Sequence, residues 1–116
     1  MLSKMKQYTN REQTTKLIEL GFDKPKLLYF GNVILGNPSY TIGELMEMLP
    51  KTIENGLLAD NLSIYTICNG YQVEYSNVLG ETYFSFNVEL IDALYDMLIK
   101  LKEEGIIKNV KKYKNK

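Results

Sequence analysis

The chain reads as an α+β domain in which a three-stranded antiparallel β-meander is packed by a long C-terminal helix and preceded by two short N-terminal helices. Three observations predict this layout. Two short apolar stripes each follow a helix-capping pattern, three alternating runs lie between residues 62 and 86, and a long segment from Val88 to Glu104 is polar on one narrow stripe only.

The elements follow in order. Residues 1–9 carry no periodic pattern and read as a loose arm. Thr9 or Asn10 can then cap a helix with Glu12 or Gln13 three residues on, Leu17, Ile18 and Leu20 supply its stripe, and Gly21 suits the left-handed position that ends it. Residues 27–36 are apolar but interrupted by Gly31 and Gly36, so a strand and an irregular docked segment both fit. Thr41 with Glu44 repeats the capping spacing and opens a second helix, which Pro50 stops. Between residues 51 and 60 the Asn55-Gly56 pair signals a turn and thus a further loop.

The strongest local signal is Asn69-Gly70 between two alternating runs, which predicts a hairpin with a type I′ turn. That turn sets Tyr65 opposite Glu74 and Ile67 opposite Gln72. One face then holds Leu62, Ile64, Cys68, Tyr71, Val73 and Tyr75, while Tyr65 and Ile67 share the other with Ser63, Gln72 and Glu74. Glu81 to Phe86 pairs back as the third strand. Asn87 is the expected cap of the long helix, which ends at Gly105, with Ile106 and Ile107 docking beyond it. Residues 1–107 are thus one α+β domain, and 108–116 form a basic flexible tail.

Composition limits the chemistry. With 45% hydrophobic and 24% charged residues the chain has the makeup of a globular protein rather than a disordered one. It has no histidine and a single cysteine, which excludes Ser-His-Asp triads, Cys-His nucleophiles and tetrahedral His/Cys zinc sites. The two glycines of FGNVILGN lack the Lys-Ser/Thr of a phosphate loop. Cys68 reads as a small buried hydrophobe, and a lone cysteine forms no intrachain disulfide. No apolar run reaches the roughly 18 residues of a membrane span, and the first residues lack the apolar core of a secretory signal, so a cytoplasmic location is expected.

Charge is segregated along the sequence. Between Leu27 and Ile99 the only cation is Lys51, set against Glu44, Glu47, Glu54, Asp60, Glu74, Glu81, Glu89, Asp92 and Asp96. A duplex-DNA site on such an acidic body is disfavoured. Glu89, Asp92 and Asp96 share one helix face with spacing that could serve a divalent metal, but that is also the pattern of a solvated face, and no cofactor or metal is expected.

Glu12, Gln13, Leu17, Ile18, Leu20 and Gly21 at the first helix, Leu45, Leu49 and Pro50 at the second, and Leu94, Leu101, Gly105 and Ile106 at the last form a pattern. In these residues the chain resembles a family of small proteins of unknown function from Bacteroides-type gut bacteria and their phages or prophages. The resemblance spans roughly residues 10–107. It implies a bacterial or mobile-element accessory protein and supplies no catalytic residue.

Binding is therefore the expected activity, and no enzyme is expected. Tyr65, Ile67, Gln72, Glu74 and Tyr83 form the candidate surface for a protein partner or homodimer, unless the N-terminal helices cover that face. The alternative is a nucleic-acid-associated protein that uses its basic tails and exposed tyrosines, with Lys108, Lys111, Lys112, Tyr113 and Lys114 as candidates.

Overall fold

The first helix begins and ends where its local chemistry dictates. In the computed structural model, which describes residues 6–25, 29–30, 33–34 and 39–107, α1 spans Arg11–Glu19 with Asn10 as N-cap. The Asn10 side chain accepts from the Gln13 N–H, and the Gln13 side chain accepts from the Asn10 N–H, so two otherwise unpaired donors are satisfied reciprocally. At the far end Phe22 N–H donates to Leu17 O and Gly21 N–H to Ile18 O, with Gly21 at φ +100. This 6→1 and 5→2 pairing requires a left-handed residue, which glycine supplies without a Cβ clash. Gly105 closes the last helix the same way: Ile106 N–H reaches Leu101 O and Gly105 N–H reaches Lys102 O.

The chain continues through β1 (Tyr29–Phe30) and β2 (Val33–Ile34), an antiparallel two-stranded pair separate from the main sheet. Helix α2 (Ile42–Met48) carries the second capping box, between Thr41 and Glu44. Then come β3 (Thr52–Asn55), β4 (Leu58–Ile67), β5 (Gly70–Asn77) and β6 (Gly80–Asn87), which form one antiparallel sheet in sequential order, followed by α3 (Leu90–Glu103).

The α+β class and the three helices agree with the sequence reading; the strand count does not. The main sheet has four strands, because residues 52–55 pair with β4 across a Gly56-Leu57 turn. The start of α3 also lies later than expected: Glu89 is its N-cap, and Asn87 instead ends β6. The segment expected as a loose arm is held from Lys6 onward. Lys6 Nζ pairs with Asp92 at 2.8 Å, its N–H donates to Glu89, Tyr8 bridges to Thr41, and Thr9 is buried against Tyr40 and Thr14.

The layers follow from α3. Its buried residues Ile91, Ala93, Leu94, Met97, Leu98 and Leu101 occupy more than one side, so it lies on β5 and β6 and also packs against α2. Leu17 of α1, Leu45 and Leu49 join the same core cluster as Val73 and Tyr75. The three described helices therefore lie on one side of the sheet. Among the described residues, no helix is long and apolar enough to cross a membrane.

An open aromatic face as candidate functional site

The β4–β5 register decides which side chains face away from the helices. The two-residue turn is Cys68-Asn69, closed by the Ile67↔Gly70 pair, and not Asn69-Gly70. Cys68 takes φ +55 and is exposed, contrary to the expected buried hydrophobe. Asn69 is not at positive φ, so the turn has the φ signs of type II′ rather than I′.

Gly70 has another task. A Cβ there would lie 2.5 Å from Asn87 O and 2.8 Å from the Phe86 ring, so its missing side chain admits the end of β6. The partner of each β4 residue consequently shifts by two: Tyr65 stands opposite Gln72, and Ser63 opposite Glu74. A shift of two keeps every side chain on its face, so the two predicted face sets survive, apart from Cys68.

One set is covered, and among the described residues no helix packs over the other. Val73 and Tyr75 are fully buried beneath the helices, and the Tyr75 hydroxyl donates to Pro50 O at 2.6 Å. On the opposite side Tyr65 and Ile67 are each 40% exposed, joined by Phe84 at 45% and Phe86 at 43%. The alternative, that α1 and α2 cover this face, is overturned. The broad apolar surface of α3 draws them to the helical side instead.

The structure thus brings together Tyr65, Ile67, Gln72 and Glu74, but not Tyr83. Tyr83 lies opposite Tyr75 on the covered side and packs against the core. Phe84 and Phe86 take its place, since they pair with Glu74 and Gln72. Alternation within ETYFSF separates Tyr83 from Phe84, but only the register with β5 fixes which of them faces outward. Lys108, Lys111, Lys112, Tyr113 and Lys114 lie outside the described residues.

The face carries an ordered polar centre within an apolar surround. The Tyr65 hydroxyl donates to Glu74 Oε1 at 2.8 Å, while Gln72 Nε2 donates to the same carboxylate oxygen at 2.9 Å and to the Tyr65 hydroxyl at 3.1 Å. Donation to the Glu74 carboxylate, more than burial, raises the Tyr65 phenol above its ordinary value. No Lys or Arg occurs between Lys51 and Lys100, so these strands offer no cation to a phosphate.

The acidic positions on α3 face elsewhere and are engaged. Glu89 accepts from Lys6 N–H, Asp92 from Lys6 Nζ and Gln13, and Asp96 from Asn87. Lys100 donates to Phe84 O rather than bridging to Asp96. Among the described residues, no group of three His, Cys, Asp or Glu side chains is placed to hold a metal ion.

Burial raises the Asp96 carboxyl above its ordinary 3.8, the Asn87 hydrogen bond opposes this, Asp92 adds to it, and Lys100 counters it. An acid raised in the folded state contributes stability that is fully present below its unfolded value and is lost as pH rises through the raised folded value. The advantage of Asp96→Asn over the native protein should therefore grow as pH is raised from about 3 to 7. Thermal unfolding of both proteins across that range checks this, and a difference independent of pH would contradict it. No protein-family model, curated protein or solved structure matches the chain, so its functional reading rests on this geometry.

Proposed function

We propose that this is a non-catalytic accessory protein that binds another protein, or a second copy of itself, through the open face of its sheet. The observation that carries this reading is the exposure of Tyr65, Ile67, Phe84 and Phe86 on a face that no described helix covers. A contiguous apolar surface around a polar centre gains free energy when water is excluded from it. Tyrosine suits such a place because its ring buries apolar area while its hydroxyl keeps a partner. The hydrogen bonds among Tyr65, Gln72 and Glu74 hold those side chains in position before association, which lowers the ordering cost of binding.

Tyr65→Ala is the direct test. If Tyr65 anchors the interface, its loss should weaken association by about 30-fold, the effect of a 2 kcal/mol hot spot. The readouts are solution mass and partner pull-down, with circular dichroism confirming the fold. Unchanged mass together with unchanged pull-down would overturn the proposal. Retention on single-stranded nucleic acid that disappears on deleting residues 108–116 would support the nucleic-acid alternative instead.

A further inference from the structure

A second surface lies at the edge of the sheet. Strand β6 is its eight-residue border, and among the described residues no strand pairs with its outer side; β3, at the opposite border, has only four residues. Between β6 and the C-terminal half of α3 runs an open groove of about 600 Å³. Its floor is formed by Tyr83, Tyr95 and Ile99, which pack against the core, and its rim carries Asp96, Glu103 and Glu104.

One outward-facing group of this edge is held by a side chain. Lys100 Nζ donates to Phe84 O at 2.8 Å and lies 5.4 Å from the centre of the Phe84 ring. That carbonyl therefore points outward, away from β5. In an antiparallel strand outward-pointing N–H and C=O groups recur at alternate residues, so the edge offers a further ladder once the ammonium swings aside. A charged lysine is a common guard on such an edge, and unlike a proline or a bulge it can be displaced.

We propose that this groove accepts an extended basic peptide, which adds to β6 as a fifth strand. Charge selects the occupant. Asp96, Glu103 and Glu104 outnumber Lys100, which is already engaged with Phe84 O. The β6 strand of a second copy would bring Glu81 and no cation to this acidic rim, so self-pairing is disfavoured. A peptide alternating basic and apolar residues fits both sides. Its basic side chains fall on the α3 side, toward Asp96 and Glu103, and its apolar ones lie beside Phe84 and Phe86. The ladder supplies affinity and the alternation supplies selectivity. The edge shares Phe84 and Phe86 with the open face but not the Tyr65–Gln72–Glu74 centre, so loss of association in Tyr65→Ala tests the face while the peptide comparisons test the edge.

The test uses the full chain and a fluorescent peptide of alternating lysine and valine, titrated by anisotropy. Saturable binding is expected. Methylation of alternate peptide nitrogens on the pairing side should weaken it by about tenfold or more, the equivalent of a lost hydrogen bond. Exchanging lysine for glutamate should weaken it by at least about tenfold through like-charge repulsion. Lys100→Ala should tighten binding severalfold by freeing the Phe84 carbonyl. Absence of saturable binding would overturn the proposal, as would equal affinity for the methylated peptide. So would dimerisation of Lys100→Ala protein that the peptide does not reverse, because the edge would then belong to a second copy. The peptide comparisons use the native protein, so no variant's folding enters them.

Discussion

Gly70→Ala is expected to destabilise the fold by about 2–3 kcal/mol, the cost of forcing a side chain into a filled space. The new Cβ would meet Asn87 O at 2.5 Å, and that oxygen belongs to backbone where β6 turns toward α3. Neither strand can move aside without disturbing the Tyr71↔Asn87 pair or the Phe86 ring. The damage should also reach the open face, because Phe86 occupies the space left by the absent side chain. Gly43→Ala provides the contrast: it lies in α2, and an added methyl would meet only Thr41 Oγ1, at 3.9 Å. Relief of helical glycine entropy should stabilise that variant by about 0.5–1 kcal/mol. Denaturant midpoints of the two variants should therefore move in opposite directions. Equal shifts would remove the close-approach explanation for Gly70.

Tyr75→Ala should cost more, about 3–5 kcal/mol, the range for deleting a large buried aromatic ring. Tyr75 is fully buried where β5 meets the helical layer, and its hydroxyl ties the sheet to Pro50 O after α2. Tyr75→Phe keeps the ring and loses only the tie, so about 1 kcal/mol is expected. The pair separates packing from hydrogen bonding at one position. Burial also pushes the Tyr75 phenol well above its ordinary value, and pushes Tyr40, helped by Glu44 and Asp23, up to about 12. The stability that both contribute is fully present below the unfolded value near 10 and is lost as pH rises through their folded values. Alkaline unfolding should therefore be shallower in Tyr75→Phe. An identical alkaline profile would show that Tyr75 ionises as freely in the folded state as in the unfolded one.

What the residues reveal in advance depends on how far the deciding interaction reaches. The capping boxes at Asn10 and Thr41 close over three residues, so both short helices were legible without any tertiary information. The faces of β4 and β5 were equally legible, because side-chain alternation is unchanged by a register shift of two. The turn itself was not. Asn69-Gly70 has hairpin chemistry, but Gly70 is required by Asn87, a residue distant in sequence. Strand β3 escaped because Thr52–Asn55 has one apolar residue in four and draws its stability from pairing with β4. The apolar pattern separated the two sheet faces and gave the Leu62, Ile64, Val73 and Tyr75 side to the long helix, without saying whether the short helices would cover the other. That choice belongs to α3, whose wide apolar circumference recruits the other helices.

The exposed turn at Cys68 also gives the molecule a built-in reporter position. It is the only cysteine in the chain, and it adjoins Ile67, which closes the turn with Gly70. A thiol-reactive fluorophore therefore attaches at one place, at the border of the aromatic surface, without prior mutagenesis. A ligand seated over Tyr65 and Ile67 would alter the polarity around that dye, whereas one confined to the Val78-Leu79 turn at the opposite end of the sheet would leave its emission unchanged. The spectrum of one labelled thiol can thus locate an unknown contact along the length of the strands.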